Sequence, residues 1–197
     1  MNIDKVLDSF NRKGFHANYF ATPKEAIDFL CSEITATSIG MGGSMTLQDL
    51  HIAEALAKSN TVYPHISGDL ENVKKTREAK VYMLSANALS STGEIVNIDG
   101  YGNRVASSIN GGAEKVYFIC GTNKITEDLH SAIHRAKNIA APKNAQRLSR
   151  KTPCATNADK CYNCSSPERI CCVTSIFSKP LYCAEVHIII IEGSYGF

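Results

Sequence analysis

Strand-like apolar runs alternate along this chain with segments of helical periodicity, and this alternation constrains the fold most. The strand-like runs lie at residues 37–42, 61–66, 80–85, 94–99, 115–121 and 186–191. The helical patterns lie at about 3–13, 23–33, 47–58, 70–78, 103–109 and 127–138. Because parallel strands need a long crossover between them, this alternation is typical of a sheet covered by helices on both faces. We therefore predict an α/β fold with a mainly parallel sheet.

Length and charge exclude several classes of protein. The 197 residues are enough for one domain with a sizeable core, and the formal net charge of +2 gives no bulk affinity for nucleic acid. Residues 1–10 lack the basic start and apolar centre of a secretory signal, and the longest apolar run, at 187–191, is too short to span a bilayer. We predict a cytoplasmic protein with a single α/β domain over residues 1–197.

The composition changes near residue 142, where a polar, thiol-rich segment with little periodicity begins and continues to about residue 180. This length is unusual for a plain loop and suggests a function or a bound ion. We refer to residues 142–180 as the cysteine-rich arm. We predict that its folding depends on what its thiols bind.

The thiols of the arm are spaced like ligands of a single site. The order Cys154, Cys161, Cys164 and Cys171 gives the spacing C-x6-C-x2-C-x6-C. A reducing cytoplasm disfavours structural disulfides, so we predict a four-thiolate site that holds zinc or a 4Fe–4S cluster. The alternative is a set of free thiols that form reversible disulfides on oxidation.

A glycine-rich turn follows the strand-like run at 37–42. Its glycines, Gly42 and Gly43, would let the backbone approach a ligand, while Ser44 and Thr46 would add hydroxyl groups at the start of the next helix. The turn matches neither a phosphate-binding Walker loop nor the dinucleotide fingerprint. It fits an anion-binding turn and, equally, a tight turn in which Ser44 caps the helix.

A second turn, between the strand-like run at 94–99 and a helix, carries three polar side chains between glycines. We predict Asp99 as a base, Asn103 as an oxyanion donor and Arg104 as a fork for a carboxylate or phosphate. Gly100 and Gly102 would give the ligand room. The alternative is a capped turn with an internal pair between Asp99 and Arg104.

Other polar residues are weaker candidates for the same pocket. Asn87 ends a strand among small residues, and Lys124 would supply a cation, although a surface lysine in a turn is the favoured interpretation. His65 is a further candidate for acid–base chemistry. A stretch without acids contains Arg135, Lys137, Lys143, Arg147, Arg150 and Lys151. We interpret this stretch as a solvated helix face and linker, with an anion-attracting rim as the alternative.

Several short motifs together resemble the lactate-utilisation (LUD) domain family. They are GSMTL at 43–47, SANA at 85–88, GEIVNIDG at 93–100, GNRV at 102–105, AAP at 140–142 and TPC at 152–154. The family is similar in fold to the ribose-phosphate isomerase, glucosamine-phosphate deaminase and CoA-transferase group, which implies a Rossmann-like sheet with a Gly–Ser anion loop. The resemblance also implies a role in oxidising lactate to pyruvate beside partner subunits that carry iron–sulfur clusters.

Three functions are compatible with these features. The first is an enzyme or enzyme subunit that binds a small anionic metabolite, a hydroxy acid or sugar phosphate, at the two glycine-rich turns. The second is a redox accessory protein whose arm carries an iron–sulfur cluster. The third is a structural zinc arm that closes over the pocket or joins two copies of the chain in a homo-oligomer.

Overall fold

The computed structural model describes residues 2–65 and 69–197, and these residues form a six-stranded sheet and a four-stranded sheet. All neighbours in the six-stranded main sheet are parallel. In spatial order, its strands are β1 (His16–Phe20), β10 (Glu185–Ile191), β7 (Lys115–Gly121), β4 (Val81–Leu84), β2 (Ser38–Met41) and β3 (Thr61–Tyr63). The predicted α/β class with a mainly parallel, Rossmann-like sheet is confirmed.

Helices connect these strands. They are α1 (Ile3–Arg12), α2 (Pro23–Glu33), α3 (Met45–Asp49), α4 (Ile52–Leu56), α5 (Leu70–Glu78), α6 (Asn103–Asn110), α7 (Leu129–Arg135), α8 (Ala141–Arg147) and α9 (Pro153–Asn157). Local sequence explains where several of them begin. At α2, Thr22 and Glu25 form a reciprocal capping box, which satisfies two N–H groups that the first turn would leave without partners. None of the helices in the described residues is long and apolar enough to cross a membrane.

The central strands are buried on both faces, since each face of the main sheet has its own apolar cluster. In β7, Phe118 and Cys120 pack into the cluster that contains α1, while Tyr117 and Ile119 pack into the cluster that contains α2 and α4. The isoleucines of β10 divide between the two clusters in the same alternating way. The apolar runs of β7 and β10 are continuous because both faces of each strand are buried.

The second sheet was not predicted from the sequence. Its strands are β8 (Ile125–Thr126), β5 (Ala88–Ser90), β6 (Ile95–Asp99) and β9 (Val173–Phe177), in this order. The run at 94–99 was expected in the parallel sheet, but β6 pairs antiparallel with both β5 and β9. Only five residues, 90–94, connect the two paired segments, and the turn there brings Leu89 opposite Ile95.

The cysteine-rich arm is more ordered than its composition indicates. Pro142 lies in the first turn of α8, a position at which proline is tolerated, and the helical segment continues past the predicted break. Residues 136–140 form a π-helical turn that joins α7 to α8. The end of the arm supplies β9, which is held by pairing with β6 rather than by its own apolar pattern.

Three further differences concern element boundaries. The predicted helix at 47–58 is divided into α3 and α4, because His51 has a left-handed backbone with φ 52°. The strand predicted at 61–66 ends at Tyr63, and Ile66 lies outside the described residues. Strand β1, at the edge of the main sheet, had no counterpart in the sequence-based prediction.

Candidate anion-binding site

A cavity of about 340 Å³ opens at the carboxyl edge of the main sheet. The segments that follow β2, β4 and β7 all contribute to its wall. From β2 the chain continues to β3 on one side, whereas β4, β7 and β10 follow one another toward the other side. The chain therefore reverses direction between β2 and β4, and ligands of open α/β sheets bind at such a switch point.

Most of the predicted site residues line this cavity. They are Gly43, Ser44, Thr46, Asn87, Asp99, Gly100, Asn103, Arg104 and Lys124. His65 also lines it. The turn that carries Asp99 and Arg104 reaches the cavity from β6 of the second sheet, so the predicted meeting of the turns occurs although their strands belong to different sheets.

Gly42 and Gly102 were predicted to bind the ligand, but neither lies in the cavity wall. A Cβ atom on Gly42 would lie 2.9 Å from Cγ of Arg104 and 2.8 Å from the hydroxyl oxygen of Tyr82. The missing side chain of Gly42 therefore makes room for Arg104. Gly102 has a left-handed backbone, with φ 72°, at the start of α6. Both glycines support the site through the backbone.

Asp99 caps helix α6. Its Oδ2 atom accepts hydrogen bonds from the backbone N–H groups of Arg104 at 2.9 Å and Val105 at 3.1 Å, and the residue is only 5 % exposed. The Nε atom of Arg104 lies 3.9 Å from the same oxygen. This arrangement matches the capped-turn alternative, and a role for Asp99 as a base stays a prediction.

Arg104 is fixed at the edge of the cavity. One of its terminal nitrogens donates to the backbone carbonyl of Ile98 at 2.6 Å, and its side chain is 17 % exposed. A guanidinium has five N–H donors, so this bond leaves donors available for a carboxylate or phosphate.

Lys124 is buried, so the interpretation as a surface lysine is wrong. The residue is 3 % exposed, and its Nζ atom donates to Oγ1 of Thr46 at 2.8 Å and to Oγ of Ser85 at 2.9 Å. Oγ1 of Thr46 in turn donates to the backbone carbonyl of Tyr195 at 3.0 Å. Within the described residues, no acidic side chain forms an ion pair with Lys124, and burial lowers the pKa of Lys124 to about 8.

Ser44 and Asn87 have structural bonds beside the cavity. The hydroxyl of Ser44 accepts from the backbone N–H of Leu47 at 3.3 Å, as the helix-cap alternative predicts. The side-chain oxygen of Asn87 accepts from the N–H of Ile98 at 2.7 Å, and the N–H of Asn87 donates to Oδ1 of Asn97 at 3.0 Å. These bonds tie the loop after β4 to β6, which joins the two walls of the cavity.

Three arginines of the basic stretch at 135–151 are placed differently from the solvated face that was predicted for it. Arg147 and Arg150 line the cavity, and Nε of Arg150 is buried without a hydrogen-bond partner among the described residues. Arg135 is 8 % exposed and donates from Nε to the carbonyl of Asn123 at 3.1 Å and from a terminal nitrogen to the carbonyl of Asn87. The signal was present as a basic stretch without acids. The favoured interpretation as a solvated face is wrong for Arg135, whereas the alternative of an anion-attracting rim fits Arg147 and Arg150.

The charges of the cavity wall are unbalanced. Arg104, Lys124, Arg147 and Arg150 contribute cationic groups, and Asp99 is the one acidic side chain among the described residues that line the cavity. The Asp99 carboxylate already accepts two backbone hydrogen bonds. The wall therefore attracts anions.

The arm has a cation of its own, Arg169, beside one of its thiols. The Nε atom of Arg169 lies 3.1 Å from Sγ of Cys171, and a terminal nitrogen of Arg169 donates to the carbonyl of Cys164 at 2.8 Å. The Cys171 thiol, followed by Cys164 and Cys161, raises the pKa of Arg169, while burial raises the pKa of Cys171.

The structure does not gather the predicted metal ligands at one point. Among the described residues, no three Cys, His, Asp or Glu side chains are arranged to hold a metal ion. Cys154 bonds locally, with its Sγ atom 3.3 Å from Oγ1 of Thr152. The four-thiolate site of Cys154, Cys161, Cys164 and Cys171 therefore stays a prediction.

The arm and the cavity are in direct contact. Ile170 lines the cavity, and the N–H of Cys172 donates to the backbone carbonyl of Asp99 at 3.1 Å. A Cβ atom on Gly100 would lie 3.1 Å from the carbonyl oxygen of Ile170. Residues 170–172 of the cysteine-rich arm are thus packed against the turn that carries Arg104.

The fold and the cavity define a Rossmann-like α/β protein with a cationic cavity at the carboxyl edge of its sheet. The sequence profile of the LUD domain family matches residues 3–191. The chain therefore belongs to the LUD domain family, whose members are related to lactate utilisation.

A crystal structure supports the fold independently. The chain is similar to a DUF162 family protein from Deinococcus radiodurans, with a TM-score of 0.54 and 11% sequence identity, over 97% of this chain and 96% of that chain. At this identity the likeness shows the fold alone. No curated protein sequence matches the chain significantly.

Proposed function

We propose that the protein binds a small anionic metabolite in this cavity and acts as an enzyme or enzyme subunit in the oxidation of lactate to pyruvate. The carrying observation is the charge of the wall, where four cationic side chains meet one acid that is already hydrogen-bonded. Membership of the LUD domain family supports a hydroxy acid, and the arginines are equally suited to a sugar phosphate.

Two of the cationic groups are buried, which increases the free energy that an anionic ligand would gain by binding beside them. A buried ammonium group without a carboxylate partner loses hydration and gains no ion pair. Lys124 is in this situation, since its partners are two hydroxyl groups. The buried Nε of Arg150 likewise has no partner among the described residues. An anionic ligand would offset both costs, so binding energy is available to it.

The size of the cavity favours a small ligand. A volume of about 340 Å³ is near the lower end of the usual range for ligand pockets. Such a volume suits a short acid or a sugar phosphate better than a dinucleotide, for which the Gly40–Thr46 turn also lacks the fingerprint.

A shallow groove beside α1 lacks the same charge excess. Its volume is about 690 Å³, and its lining contains Lys5 and Arg12 but also Asp8 and Glu127. Since the opposite charges are equal in number, this groove does not select anions. It therefore does not compete with the cavity as a site for the proposed ligand.

Calorimetry tests the proposed binding. We expect lactate, pyruvate or ribose 5-phosphate to bind at low salt and to raise the melting temperature, because a ligand that prefers the folded state stabilises it. Glycerol, which is neutral, should do neither. Replacing Arg150 by glutamine should weaken binding by about ten-fold, as expected for one lost charged hydrogen bond. Failure of all three anions to bind would contradict the proposal.

The cysteines of the cysteine-rich arm support a second candidate function, a zinc or iron–sulfur site. The favouring observation is that one cation, Arg169, lies 3.1 Å from the thiol sulfur of Cys171 and donates to the backbone carbonyl of Cys164. A bound metal ion would take over this positive charge and would order the arm. Such a site would also suit the iron–sulfur partner subunits that the family resemblance implies, which remain a prediction.

Metal analysis tests the second candidate. We expect anaerobically purified protein to contain zinc or iron in proportion to the chain, and expect Cys161→Ser and Cys164→Ser to lose it, because each removes a thiolate ligand. Cys31→Ser, outside the arm, is the matched control and should retain the metal. Protein that lacks both metals while the thiols of Cys154, Cys161, Cys164 and Cys171 all react with a thiol reagent in the native state would contradict this candidate.

A further inference from the structure

Lys124 has the surroundings of a reactive amine. It is buried, it lines the anion-attracting cavity, and its Nζ atom donates to the hydroxyl groups of Thr46 and Ser85. A charged amine has three N–H donors, so these two bonds leave one position on the nitrogen for a third partner. In the neutral amine this position is a lone pair.

The surroundings of Lys124 increase the fraction of neutral amine relative to an exposed lysine. Burial is the largest cause that lowers the pKa of Lys124, and the charges of Arg135 and Arg104 lower it further. Desolvation and neighbouring cations are two ways in which proteins activate a nucleophilic lysine. With a pKa of about 8, about a tenth of the amine is neutral at pH 7. An exposed lysine at this pH has far less neutral amine.

We propose that Lys124 is the nucleophile of this site and forms an imine with a small 2-oxo acid whose carboxylate is bound by Arg104. This inference rests on the proposed function, because the same cavity must hold the anion. A 2-oxo acid combines the two groups that the wall can recognise, a carboxylate for the guanidinium and a carbonyl carbon for the amine.

The chemical step is balanced without an oxidant or a reductant. The neutral amine of Lys124 attacks the carbonyl carbon, and a C–N bond forms while the carbonyl oxygen takes up a proton. Loss of the second amine proton and of the hydroxyl group then releases one water molecule and leaves the C=N bond. Thr46 and Ser85, which contact the nitrogen directly, are positioned to exchange protons with it.

Reductive trapping tests this inference. The protein is incubated with pyruvate and sodium borohydride, and the peptide that contains Lys124 is analysed by mass spectrometry. Borohydride reduces an imine to a stable amine, so we expect one pyruvate-derived adduct on Lys124. Lactate is the matched control ligand, since it has the same carboxylate but no carbonyl group, and it should give no adduct. The adduct should also be absent from Lys124→Arg and present in Lys137→Gln, in which an exposed lysine is changed.

The pH dependence gives a second measurement on the wild-type protein alone. At a subsaturating concentration of pyruvate, raising the pH from 7 to 8 should increase the initial rate of trapping by about five-fold, because the neutral fraction of Lys124 in the ligand-free protein rises by that factor.

The outcomes separate the two proposals. If calorimetry detects pyruvate binding but no adduct forms on Lys124, the imine is contradicted and the anion site stands. An adduct that forms only on other lysines has the same meaning. If pyruvate, lactate and ribose 5-phosphate all fail to bind and no adduct forms, the proposed function fails as well.

Discussion

Replacing Arg104 by alanine is expected to lower the affinity for the anionic ligand by about a hundred-fold. Two charged hydrogen bonds from a guanidinium contribute about 3 kcal/mol or more, which corresponds to this factor. Arg104 is suited to make these two hydrogen bonds, because its hydrogen bond to the backbone carbonyl of Ile98 already orients the side chain. Isothermal titration with the ligand that binds best to the wild type measures the effect.

Two further variants distinguish charge from geometry. Arg104→Lys keeps a positive charge but lacks the planar fork, so it should recover only part of the lost affinity. Arg12→Ala removes an exposed arginine of α1, outside the cavity, and should leave affinity unchanged. Far-ultraviolet circular dichroism would show whether Arg104→Ala is folded. Wild-type affinity in folded Arg104→Ala protein would remove this residue from the site.

Replacing Gly40 by alanine is expected to destabilise the fold by about 3 kcal/mol, because overpacking costs about this much where backbone must move. The added Cβ atom would lie 2.2 Å from the backbone oxygen of Thr76 and 3.0 Å from its Cα atom. Gly40 lies in β2 and Thr76 in α5, so the contact can be relieved only by moving the helix away from the sheet. Chemical denaturation measures the loss of unfolding free energy.

Gly102→Ala is the matched control for this experiment. No atom lies within 4 Å of the Cβ position at Gly102, so its cost comes from the backbone, where φ is 72°. A left-handed residue with a side chain costs about 1–2 kcal/mol. We therefore expect Gly40→Ala to be the more destabilised variant. Equal losses would show that the sheet and α5 are not packed as closely as described.

Local patterns were sufficient to predict most of the main sheet. The capping box at Thr22 and Glu25 is a contact between residues three apart, so the sequence contains all of it. The strands at 115–121 and 185–191 were recognisable because burial on both faces requires continuous apolar runs. Strand β9 was missed because its burial is slight and its pairing partner, β6, is far away in the sequence.

The site was predictable in part for the same reason. Glycines and polar residues after strands predicted the turns. A parallel order of strands predicted that the turns after the runs at 37–42, 80–85, 94–99 and 115–121 would meet, although the run at 94–99 belongs to the second sheet. Which groups would bond to one another was not predictable. Asp99 has the same sequence context as a base and as a helix cap, and only the positions of the Arg104 and Val105 N–H groups distinguish the two.

The sequence by itself determined the α/β class, the parallel main sheet and the presence of polar, glycine-rich turns at its carboxyl edge, because periodicity and caps are local properties of the chain. Tertiary structure alone decided that β6 joins a second sheet and that Lys124 is buried, with its Nζ atom hydrogen-bonded to two hydroxyl groups. It also decided that Arg147 and Arg150 line the same cavity as Arg104. These features depend on pairing and packing between residues that are distant in the sequence, and no local pattern specifies such contacts.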